Sequence, residues 1–265
     1  MRRIVVHAGF HKTATSSVQG ALAAQSDVLA PHVQLVFRDD ILSATRLART
    51  YSKARDPLKL AAFLMEFSEF LEGCAGGDDR PLLITTEDLC GAPIGRGAIT
   101  DYSAAPDLMR AIATAVTEVF GANADLTFYL STRRHGWLES CRWQLLRTGR
   151  MTLTEDQFAA KYAPAADLPR QVQAIRSAVH PTPVHESAVE DMNARLGPLQ
   201  PLLDLLDLPT ELVARLVPPE RRNVKGSADL RETLRAINTS PVSNQEARDQ
   251  RKHQLRKHWK RSGDG

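Results

Sequence analysis

The residues of this chain best suited to chemistry are gathered in one run, His7-Ala8-Gly9-Phe10-His11-Lys12-Thr13-Ala14-Thr15-Ser16-Ser17. Lys12 brings a mobile positive charge, and Thr13, Thr15, Ser16 and Ser17 bring hydroxyl donors. A set of this kind suits a phosphate or sulfate group. The elements that must present it are legible on either side. Residues 4–6 are a β-branched, apolar run that predicts a strand, and Gly9 allows a turn that a side chain would obstruct. Val18, Ala21 and Leu22 mark the apolar face of a helix expected over about 16–24. A loop that enters a helix N-terminus offers unbonded N–H groups and the positive end of the macrodipole, so the whole unit suits an anion.

An ATP- or GTP-binding loop would need a glycine immediately before the lysine and another five positions earlier. Here His11 precedes Lys12, and Gly9 lies three residues upstream. The run resembles instead the 5′-phosphosulfate loop of sulfotransferases that use 3′-phosphoadenosine 5′-phosphosulfate (PAPS). Bacterial members of that family often read H-x-G-x-H-K-T-[AG]-T-[ST]-[ST]. His7, Gly9, His11, Lys12, Thr13, Ala14, Thr15, Ser16 and Ser17 meet every fixed position. The competing reading of the run is a solvated helix cap.

The resemblance implies a P-loop fold, PAPS as donor, 3′-phosphoadenosine 5′-phosphate (PAP) as product, and Lys12 at the charge that grows on the leaving phosphate. It also implies an Arg and a Ser on the 3′-phosphate, for which Arg133 and Ser140 are the best matches, with Arg134 in reserve. Their separation of seven residues is one short of the usual eight. A late basic loop is similarly implied at Lys225-Gly226, where the alternative is an exposed turn with Ser227 capping the next helix. The acceptor's base matches Glu87 by position, after the strand that ends in Thr85. Asp39, Asp40, His32 and His11 remain as other bases, and His11 is also placed to touch the donor. Glu87 and Asp88 could equally do no more than start a helix, where acidic residues are favoured. No metal is implied.

Strand and helix patterns alternate, which predicts an α/β fold with a parallel sheet flanked by helices in three layers. Strands are expected over 4–6, 33–37, 81–85 and 124–131. Helical spacing runs over 40–72 with a break at Asp56-Pro57, then over 108–120, and again from about Gly136. The expected organisation is a single domain over 1–242, with a helical insertion over about 40–77 that could serve as an acceptor lid, and a basic tail over 243–265. Trp137, Leu138, Trp143 and Leu146 read as helix core.

The 265 residues are 43% hydrophobic, enough for one substantial core. The net charge of +3 is concentrated in residues 243–265, which carry seven Lys/Arg against three Asp/Glu. The near-neutral remainder argues against general nucleic-acid binding, whereas the tail could touch an acidic surface. Cys74, Cys90 and Cys141 lack metal-ligand spacing and read as reduced, partly buried thiols. No apolar run is long enough to cross a bilayer, and the one after Met1-Arg2-Arg3 breaks too soon for a signal peptide, so the expected location is cytoplasmic. The resemblance implies as acceptor a small molecule, carbohydrate or lipid bearing a hydroxyl or amine. Two other functions stay open: a non-catalytic nucleotide-binding module, and a kinase with an altered loop.

Overall fold

The computed structural model describes residues 2–122, 124–219 and 226–262. Five strands form one all-parallel sheet: β1 (Arg3–His7), β2 (Gln34–Phe37), β3 (Leu82–Thr85), β4 (Asp125–Thr132) and β5 (Val184–Ala188), in the order β2-β3-β1-β4-β5. The helices in chain order are α1 (Thr15–Ala24), α2 (Ser26–Leu29), α3 (Leu42–Ala54), α4 (Pro57–Cys74), α5 (Ala105–Phe120), α6 (Trp137–Arg147), α7 (Glu155–Tyr162) and α8 (Leu168–Val179). They are followed by α9 (Gln200–Leu206), α10 (Thr210–Arg215), α11 (Ala228–Thr239) and α12 (Asn244–Ser262). Two compact units result. The first takes residues 1–93, 102–135 and 167–222, and the second takes 94–101, 136–166 and 223–265.

The first unit holds the whole sheet. Its central strands are apolar at successive positions because helices cover both faces. Val5, Leu83 and Tyr129 share one buried cluster with Val18 and Leu22 of α1 and with Leu202, Leu203 and Leu206 of α9. Side chains alternate across a strand, so Ile4, Val6, Leu82, Ile84, Phe128 and Leu130 point to the opposite face, and all are fully buried. On the helical layers, α3 packs on α4, α4 on α5, and α5 on α8.

The break expected at Asp56-Pro57 separates α3 from α4. The Asp56 carboxylate accepts from the Leu58 N–H at 2.9 Å, and Pro57 opens α4 where its missing donor costs nothing. Together these helices cross from β2 to β3, a connection that parallel neighbours require. Phe63, Phe67 and Leu71 of α4 are fully buried, so residues expected as an insertion supply core. Truncating such a phenylalanine costs about 3–5 kcal/mol.

Strand β5 has no counterpart among the expected strands. It pairs with β4 at the sheet edge, and its sequence VHESA leaves His185 and Glu186 exposed. A polar edge strand gives no apolar run to read, and the same polarity guards the edge against association.

The second unit is helical. Trp137, Cys141, Trp143, Leu145 and Leu146 of α6 are buried, and α6 packs against α7 and α11. The stretch expected as a basic tail supplies all of α12, which packs on α11: Ala247 is buried, and Arg251 donates to Asn238 Oδ1 at 3.0 Å. The expected boundary at 242 therefore falls inside one packed unit rather than before a tail. All three cysteines are buried.

Candidate functional site

Strand β1 is central, and the chain leaves it toward β3 and β2, while β4, its other neighbour, leads outward to β5. The carboxyl ends of β1 and β4 therefore flank a point where the connections diverge, the usual crevice for ligands in an open parallel sheet. Residues 8–14 follow β1 at that point, Ser131 and Thr132 close β4, and Arg133 follows it.

The loop is held in an unusual backbone form. Lys12 has φ 70° and Ala14 has φ 71°, both left-handed, with Thr13 between them in the ordinary negative-φ half. A non-glycine residue in that region carries about 1–2 kcal/mol of strain. Alternation of this kind turns successive N–H groups into one concavity that suits an anion. Helix α1 then begins at Thr15 with Ala14 as its N-cap, the cap makes no side-chain hydrogen bond, and the first turn contains no acidic residue. Its orphan donors and positive dipole end are left to a ligand or to water.

Thr13 and Thr15 do not present their hydroxyls as the sequence suggested. Both are buried, and both turn inward to Phe10 O, at 2.5 Å and 3.4 Å. The Thr13 hydroxyl also lies 2.7 Å from Ser131 Oγ. These two threonines brace the loop, which leaves Ser16, exposed, and Ser17, half-buried, as the hydroxyls open to a ligand. Gly9 is required for close approach rather than for a special φ. A Cβ at Gly9 would stand 2.5 Å from Ser131 Oγ and 3.0 Å from His7 Nε2.

His7 lies wholly buried beneath the loop. Its Nδ1 meets Thr85 Oγ1 at 2.9 Å, while Nε2 has no hydrogen-bond partner. Burial pushes the imidazole down to about 3, so the ring is neutral near pH 7.

His11 sits in a chain of polar contacts that the sequence did not reveal. Its backbone N–H donates to the Tyr102 hydroxyl at 3.2 Å, its Nδ1 lies 3.0 Å from the same oxygen, and its Nε2 lies 3.4 Å from Asp88 Oδ1. Asp88 Oδ2 accepts from Arg38 Nε at 2.7 Å and from Arg49 at 3.4 Å. Although burial alone would raise the Asp88 carboxyl, His11 and the two arginines hold it down at about 2. An ionised carboxylate only accepts, so Nε2 carries a proton toward Asp88. Asp88, Tyr102, Arg38 and Arg49 went unrecognised because nothing local joins residues 38, 49, 88 and 102 to residue 11.

Glu87 opens a 3-10 turn after β3, and its Oε2 accepts from Gln19 Nε2 of α1 at 3.0 Å. That contact holds the carboxylate at the same end of the sheet as the loop. The other bases fare less well. His32 precedes β2 and so lies at the opposite end of the sheet, Asp40 accepts from the Phe37 N–H at 2.8 Å, and Asp39 is exposed and pairs with Arg38.

Arg133 follows β4 at the crevice. Arg134, the reserve, is bound by Asp191, to which its Nη1 donates at 2.6 Å. Its backbone N–H and that of His135 donate to Glu190, which fixes the turn. Ser140 belongs to the second unit, where its hydroxyl donates to Gly136 O at 2.9 Å. Gly226 is buried in that unit against Trp143, whose ring a Cβ would meet at 2.6 Å, and Ser227 caps α11 through the Leu230 N–H. Lys225 lies outside the described residues. An open depression of about 760 Å³ lies beside β5, lined among others by Arg176, Glu186 and Asp191, and no loop residue lines it. Among the described residues no cluster of His, Cys, Asp and Glu could hold a metal, and no helix is long and apolar enough to cross a membrane.

Comparison with protein-family models, with curated proteins and with solved structures finds no match.

Proposed function

We propose that this chain is a PAPS-dependent sulfotransferase that moves a sulfuryl group to the hydroxyl or amine of an acceptor by in-line transfer. The observation that carries the reading is the β1–α1 loop: left-handed Lys12 and Ala14 lead into a helix that no side chain caps, at the diverging carboxyl ends of β1 and β4. The loop N–H groups, Ser16 and Ser17 hold the 5′-phosphosulfate, and Arg133 reaches the 3′-phosphate as a guanidinium fork matched to its oxygens.

In the transfer the sulfur–oxygen bond to the 5′-phosphate breaks and a bond to the acceptor oxygen forms. Lys12 meets the negative charge that grows on the bridging oxygen, a contact stronger in the transition state than in the ground state. Glu87 takes the acceptor's proton as the new bond forms, and PAP departs with the bonding pair. Lining donor and acceptor up supplies much of the remaining acceleration. The reading puts the enzyme in the cytoplasm, where PAPS is made.

Calorimetric titration with PAP and with ATP tests it, followed by transfer of labelled sulfate from PAPS to a panel of hydroxyl acceptors. PAP binding that exceeds ATP binding, with turnover, is the expected result. Preference for ATP would mark a kinase, and PAP binding without turnover on any acceptor would mark a binding module.

A further inference from the structure

Lys12 is flanked by two residues tied to different parts of the first unit. On one side Thr13 is bonded to Phe10 O and Ser131. On the other, His11 is held at its backbone N–H and Nδ1 by one oxygen, Tyr102 Oη, and at Nε2 by Asp88. Tyr102 also stacks on His11 and packs against Phe10, with ring centroids 4.8 Å apart in the second contact. Tyr102 is 1% exposed and Asp88 6%, so neither is placed to touch a substrate. Their bonds converge instead on the residue that precedes a strained lysine.

We propose that Asp88 and Tyr102 are positioning residues that act through His11 to keep Lys12 in its left-handed conformation; the statement rests on the sulfotransferase reading for its kinetic consequence. A residue at φ 70° relaxes unless its neighbours over-determine it. Tyr102 and Asp88 supply that constraint through His11, and Ser131 supplies it through Thr13. Arg38 and Arg49 keep Asp88 ionised and aimed, so that it remains an acceptor for the imidazole N–H. His11 therefore has both ring nitrogens committed to holding the loop, and neither is left to take an acceptor's proton.

The test uses the full chain with Tyr102→Phe, which keeps the ring packing and loses only the hydroxyl, and with Asp88→Asn and Asp88→Glu. Three readouts are taken: amide exchange over residues 10–14, PAP affinity by calorimetry, and kcat against acceptor KM. Both Tyr102→Phe and Asp88→Asn should speed exchange in the loop while β1 and β4 stay protected. PAP affinity should fall about tenfold, the size expected when released strain must be restored on binding. Turnover should fall with acceptor KM unchanged, and Asp88→Glu should recover part of both losses. Unchanged loop exchange and PAP affinity in both variants would overturn the proposal. If the wild-type chain binds no PAP while the variants still loosen the loop, the sulfotransferase reading fails and the clamp stands.

Discussion

Thr13 Oγ1 and Ser131 Oγ lie 2.7 Å apart, a hydrogen bond that joins the β1–α1 loop to the carboxyl end of β4 across the divergence point of the sheet. Ser131 thereby occupies the space in which a Cβ on Gly9 would stand. A glycine, a serine and a threonine far apart in sequence fix one another.

That relationship predicts coupling. Gly9→Ala should destabilise the protein by about 1–3 kcal/mol, the usual result of forcing a methyl into an occupied interior. Ser131→Ala removes the oxygen at 2.5 Å and should recover at least about 0.5 kcal/mol of that loss. Denaturant unfolding of the two single variants and the double variant checks it, and strictly additive effects would reject the contact.

A second prediction separates the charge of Lys12 from its backbone. Lys12→Ala keeps the left-handed strain and should abolish transfer with the fold intact. Lys12→Gly should be equally inactive yet more stable than the alanine variant by about 1 kcal/mol, because glycine adopts φ 70° without penalty. Unchanged turnover in either variant with saturating PAPS would remove Lys12 from the reaction.

The fold was legible where side-chain pattern and element coincide. Residues 4–6 and 81–85 are apolar because both faces of a central strand are buried, and Asp56-Pro57 announced a break in the helical spacing, where the structure ends α3 and caps α4. Strand β5 escaped because an edge strand with His185 and Glu186 outward has no apolar alternation. The loop was legible as a candidate anion site because Gly, Lys and the hydroxyls are contiguous. Its bracing was not legible, since Ser131, Tyr102 and Asp88 meet it only through sheet order and the packing around β3. The inward turn of Thr13 and Thr15 likewise depends on where Phe10 O points, which residue type does not encode.

Glu87 gives a third prediction. Gln19 holds its carboxylate at 3.0 Å, and Glu87→Gln keeps the side chain's size while removing its capacity to accept a proton. PAP affinity should be retained and turnover should fall by roughly 10²–10⁴, the range for loss of a general base. Gln19→Ala, which frees the carboxylate without removing it, should cost less than Glu87→Gln. Near-normal turnover in Glu87→Gln would reject the residue and leave Asp39 and Asp40, at the end of the neighbouring strand β2, as the carboxylates to examine.

The last prediction concerns His7 and acid. Its imidazole is held down to about 3 from an ordinary value of 6.5 by burial, so the unfolded chain takes up a proton over that interval and the folded chain does not. A group depressed on folding contributes stability that is full above the unfolded value and is lost as pH falls toward the folded one. Wild-type stability should therefore decline between pH 6.5 and pH 4 with an added slope approaching 1.4 kcal/mol per pH unit, the value for one proton. His7→Asn cannot ionise and should lack that added slope, whatever its stability at neutral pH. Asp88, held at about 2, begins to lose its contribution as pH approaches its ordinary value of 3.8, but it does so in both proteins and drops out of their comparison. Urea midpoints measured from pH 7 to pH 4 check the difference, and parallel curves for the two proteins would show that the ring beneath the loop accepts a proton without unfolding.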